Sequence, residues 1–291
     1  MPGRAGACIE AMRPLNSIMM GLAVIVGAVI AGGSSIDPTS LLLGALTGVL
    51  YTAASMIHND IVDVEIDRVN TPWRPLPSGR LSPRQAWACV ALLAVLGAIV
   101  VYPLGLLPLA LAVGALLLAM AYNVWGKVRG LLGNVMVALI VSFPLIYGAV
   151  VVDRLTPTII VFASMVFLSS LAREIAKDIA DMEGDRRAGA RTLPLTRGPL
   201  YASRVAALLY VAAVALSPLP LLMGGVNPPV YAVGVAVVDI AFIMEAARLW
   251  RGVTPGEARV HKRRVLWVML LGLIVFLAST ITAGGGAAWS W

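Results

Sequence analysis

Six aspartates form two triplets, each with the spacing i, i+3 and i+7. They are Asp60, Asp63 and Asp67, and then Asp178, Asp181 and Asp185. On a helix with 100° per residue, each triplet falls within an arc of about 60° and spans roughly 10 Å of one face. Like charges this close destabilise a helix unless a cation lies between them. Mg²⁺ takes one or two carboxylates and completes its octahedron with water and phosphate oxygens, so the pattern predicts an enzyme that handles a diphosphate.

Each triplet is followed by arginine and a loop that proline stiffens. The first loop contains Asp67-Arg68 and then Arg74-Pro75-Leu76-Pro77, and the second contains Asp185-Arg186 and then Arg191-Thr192-Leu193-Pro194. Arginine binds anionic oxygens in a bidentate manner, so the two halves are expected to hold a diphosphate between two metal ions. Residues 67–83 contain too much proline for a continuous helix and are predicted to cap the cavity mouth, where a cap excludes water.

A third polar cluster stands after the fourth apolar segment. It contains Tyr122, Asn123, Lys127, Arg129, Gly133 and Asn134. Lys127 is expected to reach the diphosphate as a point charge, and Tyr122, Asn123 and Asn134 are further candidate substrate contacts. Arg13 and Asn16 stand at the same depth beside the first apolar segment, so both are also candidate substrate contacts.

The elements that must position these residues are membrane helices. The chain is 59% hydrophobic and only 13% charged, which indicates a polytopic membrane protein. Nine apolar stretches are long enough to span a bilayer, and they lie at approximately 16–33, 39–58, 85–102, 105–122, 133–152, 157–175, 201–223, 229–249 and 264–283. The sequence therefore predicts an all-α membrane protein.

The distribution of positive charge predicts the orientation of these helices. All Lys and Arg residues except Arg154 fall in the N-terminal tail or beside loops that follow even-numbered segments. The positive-inside rule then places the N-terminus and both triplets on the cytoplasmic side of the cell membrane. The net charge of +7 is dispersed over short loops beside membrane helices. It favours membrane lipids and phosphate ligands over a nucleic-acid partner.

The two triplets also predict an internal repeat. An offset of four helices gives both motif helices one orientation, so the repeat is parallel. We expect a single domain over residues 1–291, with pseudo-repeats at about 14–130 and 131–250 and a ninth helix at about 264–283. Cys8 and Cys89 stand far apart in the sequence and form no metal or redox motif.

The motif residues also carry a family resemblance. The segment Asn59-Asp60-Ile61-Val62-Asp63-Val64-Glu65-Ile66-Asp67, followed by Arg74-Pro75-Leu76-Pro77-Ser78-Gly79, resembles the first signature of the UbiA superfamily of intramembrane prenyltransferases, NDxxDxxxD. Arg173-Glu174 with Lys177-Asp178-Ile179-Ala180-Asp181-Met182-Glu183-Gly184-Asp185 resembles the second signature. The resemblance implies nine helices in a ring around a central cavity, a side opening to lipid, and Mg²⁺-dependent ionisation of a prenyl diphosphate.

Residue roles follow from the same resemblance. The implied Mg²⁺ ligands are Asn59, Asp60, Asp63, Asp67, Asp178, Asp181 and Asp185, among which Asp63, Asp67 and Asp181, together with Lys127, are the implied catalytic residues. The cations expected to neutralise the departing diphosphate are Arg68, Arg74, Lys127, Lys177 and Arg186. Arg13, Arg173 and Arg191 remain for the phosphate of an acceptor.

The second signature most resembles the digeranylgeranylglyceryl phosphate synthase branch of that superfamily. This branch implies transfer of geranylgeranyl from its diphosphate to the hydroxyl of geranylgeranylglyceryl phosphate, a step in ether-lipid synthesis. An aromatic acceptor such as 4-hydroxybenzoate is the alternative within the superfamily. The base that takes the hydroxyl proton stays open between a carboxylate of the second triplet and the diphosphate. A cation transporter is an alternative from a different class of protein. It would need carboxylates near the bilayer midplane, whereas both triplets lie at one membrane interface.

Overall fold

The computed structural model describes residues 4–32, 36–187 and 189–283, and all regular structure in these ranges is helical. The helices are α1 Arg4–Ala11, α2 Pro14–Gly32, α3 Pro38–Val62, α4 Val64–Asn70, α5 Pro83–Val101, α6 Leu106–Val124, α7 Leu131–Val151, α8 Pro157–Arg187, α9 Leu193–Arg197, α10 Pro199–Leu216, α11 Leu219–Met223, α12 Pro228–Trp250 and α13 Pro255–Thr282. Short 3₁₀ turns cover Tyr102–Leu104 and Gly126–Val128. The prediction of an all-α fold is confirmed.

Within the described ranges, nine helical segments are long and apolar enough to cross a membrane. They are α2, α3, α5 with its 3₁₀ turn, α6, α7, α8, α10 with α11, α12 and α13. Each coincides with a predicted apolar stretch, which confirms the predicted number of spans. Two helices run past the predicted apolar stretch: α8 continues to Arg187, and α13 begins at Pro255.

Most of the long helices begin at a proline, and several carry a side-chain cap before it. Asp37 accepts hydrogen bonds from the backbone of Thr39 and Ser40 at the start of α3. Ser82 with Gln85 forms a complete capping box at the start of α5. Proline lacks the backbone N–H that the first turn leaves unpaired, and the cap satisfies the remaining donors. These local signals fix the start of the spans that carry them.

The nine described spans pack in one group of five and one group of four. In the first group, α2, α3, α6 and α7 surround a common interior, and α5 packs on the outside of α3. In the second group, α8 packs against α10 and α13, and α12 lies between those two helices. Contacts of α7 with α8 and of α2 with α13 join the groups.

Both motif helices, α3 and α8, carry their aspartates at the same end of the bundle, which we call the motif end. The short helix α1 packs against α3. Cys8 on α1 and Cys89 on α5 lie side by side, with their Cα atoms 7.1 Å apart, so two cysteines that stand far apart in the sequence are neighbours in the fold. Arg80 forms a hydrogen-bonded ion pair with Glu10, at 2.6 Å, and lowers the pKa of that carboxyl group.

Candidate active site at the motif end

The first acidic motif is a broken helix. Helix α3 ends at Val62, Asp63 forms a turn with φ −89° and ψ 6°, and α4 resumes at Val64. The backbone N–H of Asp63 still donates to Asn59, and the N–H of Asp67 donates to Asp63, so the chain bends without losing these bonds. The motif is therefore two helical segments and not one continuous helix, but Asp60 and Asp67 still face the same side, since Arg74 lies 3.6 Å from the first and 2.6 Å from the second. The bend carries Asp67 onto α4, beside the following loop.

Three cations neutralise the three carboxylates of the first motif. Arg13 bonds to Asp60 at 2.5 Å, and Lys127 bonds to Asp63 at 2.5 Å. Arg74 lies 2.6 Å from Asp67. The carboxylates of Asp60 and Asp67 are almost fully buried, whereas each cation keeps about a third of its side chain in contact with solvent. Charges this deeply buried are costly unless they are paired.

Local backbone geometry brings two of these cations to the motif. Arg13 has φ +47° in the turn between α1 and α2, a conformation that non-glycine residues rarely adopt and that is enriched at functional sites. Arg74 lies in the loop at 71–82, which is not helical, as the proline content predicts. Leu76 and Leu81 are buried and anchor this loop to the bundle. Thr71 donates its hydroxyl to Asp67 at 2.9 Å and so adds a contact that the sequence reasoning did not anticipate.

The second acidic motif is continuous helix, since α8 includes all of it. Asp178 is buried and accepts a hydrogen bond of 2.7 Å from the side-chain amide of Asn134. Asp181 is exposed and Asp185 is half-buried. Among the residues that the structure describes, neither Asp181 nor Asp185 forms an ion pair, so these two carboxylates are free to bind a cation.

A buried acid lies one turn before Asp178. Glu174 has only 4% of its side chain exposed and pairs with both Arg173 and Lys177. Arg173 donates at 2.8 Å, and its Nε atom is buried without a partner among the described residues. Glu174 was not among the predicted functional residues. The signal was present in the sequence, because a carboxylate flanked by two cations inside an apolar span is rarely accidental.

The segment that joins α6 to α7 bridges the two motifs. Lys127 bonds to Asp63 in the first motif, and Asn134 on the first turn of α7 bonds to Asp178 in the second. Gly130 has φ +56°, and a Cβ atom there would lie 1.9 Å from the backbone oxygen of Arg191, so glycine is required for this close approach. The loop after the second motif therefore packs directly on this bridge.

Tyr122 lies where the motifs converge. Its ring packs against Gly126 and Gly133. Both glycines belong to the segment that carries Lys127, which bonds to Asp63, and Asn134, which bonds to Asp178. The structure thus brings the predicted contact Tyr122 to the space between the two acidic motifs.

Other predicted residues lie elsewhere or have partners within the protein. Arg68 is exposed and pairs with Glu65 on the outer face of α4, so it does not join the carboxylate cluster. Asn123 is buried, and its amide bonds to the backbone of Ser55 and to His58, which ties α6 to α3. Its amide nitrogen is thus used to hold these helices together. Asn16, Arg186 and Arg191 are exposed residues at the motif end.

An apolar cavity of about 400 Å³ lies inside the first helix group. Helices α2, α3, α6 and α7 line it, and its end nearest the motifs reaches Ser55 and Met56 on α3. Asn59 follows Ser55 by one helical turn, so the carboxylate cluster stands at the head of this cavity. A long apolar group attached to a diphosphate fits this combination of a charged mouth and an apolar interior.

No group of three His, Cys, Asp or Glu side chains in the described ranges forms a ready-made metal centre. Mg²⁺ does not need one, because it commonly binds one or two carboxylates and takes its other oxygens from water and substrate phosphate. Asp181 and Asp185 offer such carboxylates without a competing cation, and Asp63 and Asp67 offer them once their cations move to an anion. The donor set therefore fits Mg²⁺ bound together with a phosphorylated ligand.

Comparison with known proteins agrees with this geometry. The model of the UbiA prenyltransferase family matches residues 20–266. The chain belongs to the UbiA prenyltransferase family. It is therefore an enzyme of the prenyltransferase class, and the family resemblance inferred from the two motifs is confirmed.

Individual UbiA relatives cover nearly the whole chain. Digeranylgeranylglyceryl phosphate synthase from Methanopyrus kandleri is 37% identical over 284 residues, which cover 94% of this chain and 99% of the relative. The same enzyme from Methanothermobacter thermautotrophicus is 35% identical, with 94% and 97% covered.

Solved structures share the fold. A structure described as digeranylgeranylglyceryl phosphate synthase in membranes superposes with a TM-score of 0.89 at 29% identity and covers 96% of this chain and 99% of that one. A UbiA homologue from Archaeoglobus fulgidus bound to geranyl diphosphate and Mg²⁺ has a TM-score of 0.70 at 18% identity, with 94% and 99% covered. At that lower identity the likeness concerns the fold alone.

Proposed function

We propose that this UbiA enzyme transfers geranylgeranyl from its diphosphate to the free hydroxyl of geranylgeranylglyceryl phosphate, with Mg²⁺ as cofactor. The observation that carries the proposal is the 37% identity to a digeranylgeranylglyceryl phosphate synthase over nearly the full length of both chains. The site geometry supports it independently. Two acidic motifs face each other across a cation-bearing segment, and an apolar cavity begins one helical turn from the first motif.

Binding of the diphosphate redistributes the cations of the first motif. Arg74 and Lys127 now neutralise Asp67 and Asp63. Bound Mg²⁺ supplies positive charge that stabilises the departing diphosphate. Asp63 and Asp67 would then hold Mg²⁺, and both cations keep enough exposure to turn toward phosphate oxygens. Donors placed where charge develops lower the barrier more than any other contribution of this kind of site.

The reaction breaks the bond between C1 of the prenyl chain and the bridging oxygen, and the electron pair leaves with the diphosphate. The acceptor hydroxyl oxygen forms the new bond to C1 and loses its proton. Asp181 is the carboxylate that we assign to receive this proton or to hold metal, because it is exposed at the motif end without a cation partner. The apolar cavity keeps water away from the electron-poor carbon.

The acceptor carries its own phosphate, which needs cations beyond those of the first motif. Arg13 pairs with Asp60 in the first motif, so it belongs with the cations on the diphosphate side. Arg173 and Lys177 share one buried acid, Glu174, and together carry more positive charge than that acid neutralises. Arg191 is exposed on the loop that packs against Gly130. We assign the acceptor phosphate to Arg173, Lys177 and Arg191.

The orientation in the membrane is part of the proposal. Lys and Arg concentrate at the motif end, which the positive-inside rule places on the cytoplasmic side. The N-terminus shares this side, because Arg13 at the start of α2 bonds to Asp60 at the motif end. Both substrates carry phosphate groups, so an active site that faces the cytoplasm can take them from that side.

Product analysis tests the proposal. Purified protein in liposomes receives labelled geranylgeranyl diphosphate, Mg²⁺ and either geranylgeranylglyceryl phosphate or 4-hydroxybenzoate. We expect a lipid with two geranylgeranyl chains from the first acceptor and little product from the second. Preferential prenylation of 4-hydroxybenzoate would instead assign the chain to the aromatic branch of the family.

A matched pair of variants ties the product to this site. Asp63→Asn removes a carboxylate of the first motif, whereas Glu65→Gln removes a carboxylate that pairs with Arg68 on the outer surface. Only the first change is expected to abolish the product. Equal activity of both variants would place the reaction outside this cluster.

A further inference from the structure

An apolar groove of about 420 Å³ lies on the outside of the second helix group, between α10 and α12. The buried side chains of Ala207 and Ala246 form its floor. Its walls are large apolar side chains that are about half exposed, namely Leu208, Val211, Ile243 and Trp250. We call this feature the outer groove. It is separate from the apolar cavity beside the acidic motifs, which lies inside the first helix group.

Both walls of the outer groove lead to an arginine. On α10, Leu208 and Val211 continue the helix face that begins at Arg204, since residues at i, i+4 and i+7 share a face. On α12, the wall ends at Trp250, and Arg251 follows directly. Helix α10 follows the second motif in the chain and therefore begins near the motif end. The two arginines thus stand at the end of the groove that is nearest the motifs.

Contacts within the protein hold these arginines beside the groove. The guanidinium carbon of Arg204 lies 5.4 Å from the centroid of the Trp250 ring, and its Nε donates to the backbone oxygen of Trp250 at 3.4 Å. Arg251 is the next residue and itself lines the groove. Both arginines are exposed, and neither forms an ion pair within the part of the chain that the structure describes. Their remaining N–H groups can therefore bind an anion.

The acidic residues of α12 do not neutralise this charge. The carboxylate of Glu245 is buried and pairs with Arg248 and His261. Asp239 stands twelve residues before Arg251, which is about 18 Å along the helix. The end of the outer groove nearest the motifs is therefore positively charged, whereas its length is apolar.

This combination matches one class of membrane component. An apolar groove along two membrane helices suits a lipid chain, and paired arginines at its end suit a phosphate. Tryptophan is favoured at the level of lipid head groups, where Trp250 would then lie. We propose that the outer groove binds an anionic phospholipid of the surrounding bilayer, with one chain between α10 and α12 and its phosphate held by Arg204 and Arg251. The inference does not depend on which acceptor the enzyme prenylates.

Lipid titration tests the proposal. Purified full-length protein in detergent receives phosphatidylglycerol or phosphatidylcholine with identical acyl chains, and native mass spectrometry measures the bound lipid. We expect phosphatidylglycerol to bind at least about tenfold more tightly, because each basic residue near an anionic head group contributes roughly a factor of five. Equal affinity for the two lipids would overturn the proposal.

The arginines are tested by a double variant and a matched control. Arg204→Gln with Arg251→Gln should weaken phosphatidylglycerol at least about tenfold and leave phosphatidylcholine unchanged. Arg84→Gln removes another exposed arginine, at the start of α5, that does not line the groove. It should retain the wild-type affinity. The same loss in both would indicate attraction by overall charge and would overturn the assigned site.

The groove is tested separately from the charge. Ala247 is exposed and lines the groove, so Ala247→Phe fills it, whereas Ala236→Phe makes the same change on the same face about 16 Å away. Only the first should weaken phosphatidylglycerol.

Cross-linking locates the bound chain directly. A phosphatidylglycerol with a photoactivatable acyl chain should label residues 204–211 and 243–250 in the wild type. Full binding by Ala247→Phe, or cross-links outside both segments, would show that the lipid chain does not lie in the groove and that the proposal is wrong.

Discussion

The two acidic motifs have the same spacing but different structures. In the first, the helix bends at Asp63, and each carboxylate is neutralised by a cation from another part of the chain. In the second, α8 runs straight through, Asp178 is held by a neutral amide, and Asp181 and Asp185 have no ion pair within the described ranges. A repeated sequence pattern has therefore produced one motif whose three carboxylates are all paired with cations. In the other motif, two carboxylates have no ion pair among the described residues.

The difference assigns different tasks to the two halves. The cations of the first motif already lie beside its carboxylates, so their side chains can turn to a bound diphosphate without a large movement. This half therefore suits the anion. The uncompensated carboxylates of the second motif attract Mg²⁺ from solution, because nothing must be displaced first. Asp181 and Asp185 would thus hold Mg²⁺ before a diphosphate draws Arg74 and Lys127 away from the carboxylates of the first motif.

The largest effect is expected for Asp63→Asn. The change removes the carboxylate that positions Lys127 and offers an oxygen to metal, so kcat/KM for transfer should fall by roughly 10³-fold or more, the scale for losing a central electrostatic contact. Steady-state assays with Glu65→Gln as the matched control measure it. Near-normal turnover of Asp63→Asn at saturating Mg²⁺ would remove the first motif from the mechanism.

Asp181→Asn tests the second motif in the same way. We expect a loss of transfer of about 10²-fold and an increase in the Mg²⁺ concentration for half-maximal activity. The thermal midpoint should stay the same or rise slightly, since like charges at i and i+4 repel Asp185 by about 0.2–0.5 kcal/mol. Mg²⁺ titrations of activity on both motif variants provide the test. A larger shift in Mg²⁺ requirement for Asp63→Asn would reverse the proposed order of entry.

Removal of Mg²⁺ tests whether the metal connects the two motifs through the diphosphate. Without Mg²⁺ the diphosphate must approach uncompensated carboxylates of the second motif, and we expect geranylgeranyl thiolodiphosphate to bind at least about tenfold more weakly in EDTA. Calorimetry with and without Mg²⁺ measures this difference. Equal affinity under both conditions would mean that the protein cations alone hold the diphosphate.

The sequence predicts the parts of this fold that depend on local composition. Nine apolar stretches correspond to nine described spans because a bilayer demands long apolar helices. The proline-rich loop around Arg74 is also predictable, since proline cannot continue a helix. Glycine and proline inside other spans do not indicate a break in the helix, because neighbouring helices accommodate them.

The ion pairs of the first motif depend on tertiary structure and could not be read from spacing. Arg13 reaches Asp60 because the chain turns sharply between α1 and α2. Lys127 follows α6 and reaches Asp63 because α6 packs against α3. Arg68 stands next to the motif in sequence, yet its position on α4 turns it toward solvent. Of Arg68 and Arg74, only Arg74 reaches the carboxylates, so proximity in the sequence alone does not select the cation. Arg68 follows Asp67 by 100° of helical turn, which is enough to place it on the outer face of α4.

The smallest expected effect concerns the neutral contact of the second motif. Asn134→Ala removes the amide that donates to the buried Asp178, and the carboxylate then lacks a partner inside the bundle. Leaving a buried polar group unsatisfied costs about 1–3 kcal/mol, so the thermal midpoint should fall. Asp178→Asn in the same background should restore most of this loss, because it removes the buried charge. Thermal unfolding in detergent of both single variants and the double variant isolates the coupling between the two residues. Additive effects would mean that Asn134 contributes only packing. The first motif, neutralised by cations, and the second, held by an amide, would then not differ in how their buried carboxylates are stabilised.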